Sequence, residues 1–168
     1  QTLRPAQYCG FKFFNVYGPN EYYKGSMASV IFHTFNKIKE TGEMGLFKSY
    51  RPDYADGQQL RDFVYVKDIC KVVKFMIEHP DVNGLFNLGT GTARSFYDLA
   101  KATFDALGLE PNIKFVEMPE TLRKKYQYYT QANMEKLRAA GYHEAFYTLE
   151  EGCKDYVTNY LAQDYKTY

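Results

Sequence analysis

Short β-prone runs alternate along this chain with longer stretches of helical period, and that alternation limits the fold more than anything else in the sequence. Phe11 to Val16 is β-prone and runs into the turn Tyr17-Gly18-Pro19-Asn20. From Ser26 to Glu40, Met27, Val30, Ile31, Phe35 and Ile38 recur at three- and four-residue steps, which predicts a helix capped by Ser26 and closed by Gly42. Ser49 to Gln59 is polar, aperiodic and carries proline and glycine, so it reads as an exposed loop. Phe63 to Val66 is a short strand, followed by Ile69, Val72, Val73, Met76 and Ile77 on one helical face, which His79-Pro80 ends. Leu85 to Leu88 runs into Gly89-Thr90-Gly91, then into a helix with Ser95 and Asp98 as capping box, Phe96, Leu99, Thr103 and Leu107 inward, and Gly108 at its end. Ile113 to Glu117 is a further strand. Asn133 starts a helix that Gly141 closes, and Thr148 with Glu151 caps a last one with Leu149, Cys153, Tyr156, Val157 and Tyr160 inward. Such alternation predicts an α/β architecture, without internal repeat or domain boundary.

The charge balance excludes some partners. Of 168 residues, 21 are Lys or Arg and 20 Asp or Glu, a net charge of +1 that argues neither for nucleic acid nor for an anionic membrane. Cys9, Cys70 and Cys153 lie far apart, without metal-ligand spacing, so neither a disulfide framework nor a metal site is expected, and a reducing, cytoplasmic setting is. No apolar run approaches the roughly 20 residues that span a bilayer. The chain opens Gln1-Thr2-Leu3-Arg4 without an initiating Met and reaches a strand pattern within ten residues, which reads as a piece of a longer protein.

Several residues are placed for chemistry. Lys24 stands beyond a strand's carboxyl end and just ahead of a predicted helix start, where the helix dipole, burial and a cationic cofactor would each favour an ammonium that exchanges protons near neutrality. The plain alternative is a solvated surface lysine. His33 falls on or beside the apolar face of the same helix. Arg61 offers a planar fork suited to a diphosphate, against the alternative of an Arg61-Asp62 surface ion pair. Lys124, Lys125 and Tyr126 would border an anionic sugar nucleotide or form a solvated face. Gly89-Thr90-Gly91 only loosely resembles a phosphate cradle and is better read as a tight turn. The chain has no G-x-x-G-x-x-G fingerprint and no Tyr-x-x-x-Lys pair placed for catalysis.

Three blocks, Phe13-Phe14-Asn15-Val16-Tyr17-Gly18-Pro19, Arg61-Asp62-Phe63-Val64-Tyr65-Val66-Lys67-Asp68 and Leu85-Phe86-Asn87-Leu88-Gly89-Thr90-Gly91, resemble the carboxyl half of extended short-chain dehydrogenase/reductases that act on nucleotide sugars. Lys24-Gly25-Ser26-Met27-Ala28-Ser29-Val30 with Phe32-His33, Tyr126-Gln127, Thr130-Gln131-Ala132-Asn133 and the run Lys136 to Tyr142 are similar to the ADP-glycero-manno-heptose 6-epimerase family in particular. The resemblance implies the last strands of a Rossmann-type sheet, about 11-17 and 63-108, plus a small substrate-binding lobe, about 26-47 and 113-162. The amino-terminal NADP-binding half would lie outside this chain, which alone would be inactive. The resemblance further implies NADP as cofactor, ADP-heptose as substrate, and transient oxidation at C6 with two acid/base groups. One would be an upstream Tyr and the other Lys24. Val16 and Lys24 would border the nicotinamide; Asn15, Ser26, His33, Arg61 and Tyr126 would border the substrate, with Phe47-Lys48-Ser49-Tyr50 as a contacting loop. Ser49 to Arg61 is longer than the family pattern. A homo-oligomer is implied for the intact enzyme. The rival readings are another nucleotide-sugar epimerase or dehydratase, which need not carry the Lys24 block, and a non-catalytic sugar-nucleotide-binding module.

Overall fold

The structure is a computed structural model and describes residues 5–167, so Gln1 to Arg4 of the opening stretch lie outside the described residues. The first β-prone run forms two strands rather than one, β1 (Cys9–Phe13) and β2 (Asn15–Tyr17). The division falls where the chain changes neighbours. β1 pairs in parallel with β6 (Gly84–Leu88), from Cys9 opposite Gly84 to Phe13 opposite Leu88, and β2 pairs in parallel with β5 (Phe63–Tyr65). The Phe14 amide donates to the Leu88 carbonyl at 2.9 Å and the next amide, Asn15, to the Asp62 carbonyl at 3.0 Å. Consecutive amides of an extended chain point to opposite edges, so this strand is flanked on both sides.

Helix α1 (Val30–Thr41) starts later than its apolar pattern suggests. The cap is Ser29, whose hydroxyl accepts from the Phe32 amide, and not Ser26. Ser26 lies inside a 3-10 segment, Tyr22–Met27, kinked at Gly25, whereas Ser29 has the extended backbone an amino cap needs. Met27, expected on the inner face, is 84% exposed for the same reason. Gly42 closes the helix in the left-handed conformation, as its position predicts.

Strand β3 (Met44–Phe47) pairs in parallel with β8 (Ile113–Val116), and β4 (Leu60–Arg61) runs antiparallel to β7 (Arg94–Ser95). Only β8 of these is legible in the sequence: β4 and β7 are two residues each, and β3, as short as β8, carries Gly45 in its middle and shows no alternation. Helix α2 (Val66–Glu78) buries Ile69, Val72 and Met76, while Val73 and Ile77 sit on the flank turned to solvent. Both predicted capping boxes form, Ser95 with Asp98 on α3 (Phe96–Leu107) and Thr148 with Glu151 on α6 (Leu149–Tyr156). A short α4 (Glu120–Arg123) has no counterpart in the sequence pattern. Asn133 accepts from the Glu135 amide at the start of α5 (Glu135–Ala139).

Strand β5 divides the core. Phe63 and Tyr65 face one cluster, with Tyr17, Ile31, Phe35, Leu99 and Tyr156, where α1, α3 and α6 pack. Val64 faces the other, with Val72, Phe86, Leu88 and Leu137. A side-chain period of two on a strand buried on both sides produces this division. Among the described residues no helix is long and apolar enough to cross a membrane.

Candidate functional site

The carboxyl end of β2 opens into a cavity of about 250 Å³. Asn15 and Val16 form one side, Met27, Ala28 and Ser29 another, and Phe63 lies in its wall. Lys24 and Ser26 sit on the adjoining 3-10 segment, both exposed. The sequence argument for Lys24 thus needs correcting in two respects. Its side chain is not buried, and the helix beyond it begins only after Ser29, so it stands outside the first turn where the dipole acts. Of the three influences invoked, only a neighbouring cationic cofactor remains. His33 lies beside the buried stripe of α1 and faces solvent, its ring edge-on to Phe32 at 5.6 Å.

Arg61 is the most constrained of the predicted residues. Only 9% exposed, its guanidinium lies 5.3 Å from the Tyr126 ring and 5.6 Å from the Phe96 ring, and Nη1 donates to the Leu60 carbonyl at 2.8 Å. No carboxylate pairs with it among the described residues. Burial pulls its pKa down, with Tyr126 opposing, yet a guanidinium stays charged under all ordinary conditions. The surface ion pair with Asp62 does not form. Asp62 is fully buried and turned away, accepting from the Thr90 amide and hydroxyl at 2.7 Å each, the Gly91 amide at 2.9 Å and the Ala132 amide at 3.0 Å. Gly89-Thr90-Gly91 is therefore a turn whose donors are committed to a protein carboxylate. Gly89 has no room for a side chain, since a Cβ there would lie 2.6 Å from both Asp62 Oδ2 and Ala132 Cβ.

Tyr126 carries the site onward. Its ring meets Phe47 edge-on at 6.2 Å and Tyr128 at 5.6 Å. Lys124 and Lys125, singled out with it, are exposed. The loop after Phe47 is tied internally. Lys48 pairs with Glu117 at 2.8 Å, the Ser49 amide donates to Asp56 at 2.7 Å, the Tyr50 amide to the Tyr128 hydroxyl at 2.9 Å, and the Tyr50 hydroxyl to Glu117. Hydrogen bonds from Lys48 and Tyr50 hold the Glu117 carboxyl below its ordinary range, and Glu117 raises Lys48 in turn. Arg123 covers the Tyr50 ring at 3.9 Å.

The two groups share a wall, because Phe63 beside the first cavity packs edge-on against Phe96 at 5.6 Å and Phe96 underlies Arg61. Asn15 and Val16 are thus linked through Phe63 and Phe96 to Arg61, Tyr126 and Phe47, whereas Lys24, Ser26 and His33 are exposed and line no part of that cavity, and Lys48, Ser49 and Tyr50 belong to the loop tied to Glu117, Asp56 and Tyr128. Sequence reasoning misses Phe96, Tyr128 and Glu117. Phe96 reads as a core position, and nothing local marks the other two.

Parallel strand pairs with helices packed on them, a cavity at the end of β2 and a buried arginine that no carboxylate pairs among the described residues define a Rossmann-type α/β chain. Residues 4–89 match the NAD dependent epimerase/dehydratase family, and the chain belongs to that family. It is 52% identical over 170 residues to the ADP-L-glycero-D-manno-heptose-6-epimerase of Fusobacterium nucleatum, covering 98% of this chain and 51% of that protein. The crystal structure of the Helicobacter pylori ADP-L-glycero-D-manno-heptose-6-epimerase superimposes with a TM-score of 0.72 at 29% identity, over 91% of this chain and 44% of that one. The UDP-glucose 4-epimerase of Thermus thermophilus, in complex with NAD, shares the fold with a TM-score of 0.66 at 21% identity, over 90% and 45% of the two chains. The chain spans about half the length of the curated relatives it matches.

Proposed function

We propose that this chain is the carboxyl-terminal, substrate-binding portion of a cytoplasmic, homo-oligomeric ADP-glycero-manno-heptose 6-epimerase. The enzyme would interconvert D-glycero and L-glycero ADP-heptose by transient oxidation at C6 with NADP, for lipopolysaccharide inner-core precursor synthesis. The observation that carries the reading is Arg61, a buried cation held between two rings with no carboxylate partner among the described residues. Burying a charge without a counter-charge is unfavourable, and the diphosphate of a sugar nucleotide supplies what is missing. The similarity to the Fusobacterium nucleatum enzyme supports ADP-heptose among such ligands.

A nicotinamide dinucleotide, when bound, supplies reversible hydride acceptance at C6. The residues present fit its nicotinamide end, since Asn15 and Val16 border a cavity of about 250 Å³ with Lys24 close by in sequence. They do not fit its phosphates, because the amides of Thr90 and Gly91 are already taken by Asp62. In this reading that role falls to an amino-terminal half outside this chain, with 11-17 and 63-108 belonging to the shared sheet and 26-47 and 113-162 to the substrate lobe.

The chain's own residues bind, orient and move a proton. Arg61 anchors the diphosphate as a bidentate fork, with Tyr126 and Phe47 offering flat apolar faces beside it. Asn15 and Ser26 supply hydrogen bonds to the sugar hydroxyls, and His33, Lys48, Ser49 and Tyr50 form the outer edge. Lys24 Nζ exchanges a proton with the oxygen on C6 as that carbon is oxidised and reduced from the opposite face. In the full-length protein, Lys24→Met is expected to abolish epimerisation while ADP-sugar binding, measured by titration calorimetry, survives. Unchanged turnover would refute the acid/base role.

A further inference from the structure

Lys24 and Ser26 ride on a segment whose residues after Tyr22 are exposed. None of Tyr22 to Met27 is buried, and the segment is kinked at Gly25, where φ is 53° and ψ is −129°. Tyr22 holds its start, packed against the larger core and donating its hydroxyl to the Lys166 carbonyl at 2.7 Å, while the stretch from Lys24 to Ser29 is tied to one residue. Glu21 is only 4% exposed. Its carbonyl accepts the Lys24 amide at 3.0 Å, while its carboxylate accepts the Ser29 amide at 2.7 Å, the Ser29 hydroxyl at 2.7 Å and the Tyr156 hydroxyl at 2.9 Å. Ser29 caps α1, and Tyr156 belongs to α6 in the middle of the larger core. One carboxylate thus fastens the segment's far end, and with it the start of α1, to the best-packed part of the molecule. Burial, reinforced by Glu21, pushes the Tyr156 phenol well above its ordinary value, so it remains a donor to that carboxylate at any working pH.

An apolar residue would fill this space with less desolvation. What a carboxylate adds is direction, since its acceptors receive a backbone amide and two hydroxyls at defined angles. We propose that Glu21 is a positioning residue for the reaction, holding the Tyr22–Met27 segment so that Lys24 Nζ is presented to the substrate. The proposal rests on the reading of Lys24 as the proton-transfer group.

The test uses full-length protein with Glu21→Ala, which removes all three carboxylate bonds, and Glu21→Gln, which keeps the volume and one acceptor for the Ser29 amide. Two measurements are made on each: amide hydrogen exchange by mass spectrometry, and steady-state epimerisation of ADP-heptose. For Glu21→Ala, exchange in residues 22-29 is expected to rise about tenfold or more while α3 is unchanged, and kcat to fall about tenfold or more. KM should rise by less than kcat falls, because the diphosphate anchor is untouched although Ser26 lies on the loosened segment. Glu21→Gln should recover part of both losses. Exchange in 22-29 that does not rise, exchange that rises throughout the molecule, or a loosened segment with kcat retained would each overturn the proposal. Lys24→Met assayed alongside keeps the two readings apart: turnover retained there refutes the role of Lys24, whereas the exchange experiment alone decides whether Glu21 holds the segment.

Discussion

Replacing Arg61 by Met should separate binding from stability, and with opposite signs. In the folded chain Arg61 is 9% exposed and its guanidinium is held by one carbonyl and two aromatic rings. A desolvated cation over a ring gains about 2 kcal/mol, whereas removing such an ion from water costs several kcal/mol per charge. Met has similar reach, no charge to desolvate, and makes sulfur-aromatic contacts of about 1 kcal/mol with Phe96 and Tyr126. Unfolding free energy in urea, without ligand, should therefore stay within about 1 kcal/mol of the parent or rise. Binding should behave otherwise. Two charge-assisted hydrogen bonds to a diphosphate contribute about 1.5 to 3 kcal/mol each, so their loss at the lower limit, about 3 kcal/mol, weakens ADP on the order of a hundredfold. Titration calorimetry of full-length protein with ADP reads this directly. An affinity within about threefold of the parent, or a loss of more than about 2 kcal/mol in stability with affinity intact, would show that Arg61 is a structural cation and that the anion-binding argument is wrong.

Gly152→Ala should destabilise the protein although alanine favours helix, because its Cβ would lie 2.1 Å from the Tyr17 hydroxyl, whose ring is buried and stacked on Tyr65 at 5.2 Å; overpacking of about 1 to 3 kcal/mol outweighs a propensity gain of about 1, and a thermal midpoint at or above the parent's would contradict it. Cys153, buried and pushed up to about 12, should resist iodoacetamide at pH 8 while exposed Cys70 reacts, with peptide mass spectrometry as the readout and equal labelling as the contrary result. The same thiol should lower stability as pH rises from about 9 toward 12, since the unfolded chain then releases its proton first.

What can be read from the sequence is what neighbouring residues decide among themselves. The boxes Ser95 with Asp98 and Thr148 with Glu151, and the left-handed stops at Gly42 and Gly108, need only three or four residues and form as expected. The start of α1 is misplaced by sequence alone because two serines three residues apart both suit a cap, and the choice between them lies with Glu21 and Tyr156, the latter 135 residues away from its partner. Arg61 stands out as a candidate in the sequence, but its isolation does not, since it depends on Asp62 being drawn off by an amide 70 residues downstream. Phe47 and Tyr126 likewise meet only through the pairing of β3 with β8 and the fold of the loop after it. Val73 and Ile77 show the limit of periodicity, which finds an apolar stripe but not where neighbouring elements stop covering it.

The carboxylate of Asp62 also imposes an order on synthesis. Its partners at Thr90, Gly91 and Ala132 leave the ribosome after it, the last of them 70 residues later, an interval on the order of 10 s at ordinary elongation rates. β5 has β2 beside it throughout, but the turn after β6 that supplies Thr90 and Gly91 follows only 28 and 29 residues later, and the stretch around Ala132 is missing until the end of the interval. Until Thr90 and Gly91 are made the nascent chain thus carries an unsatisfied acid at the centre of its future core, and until Ala132 follows that acid stays uncovered on one side, the point in its biogenesis where a chaperone has most to shield.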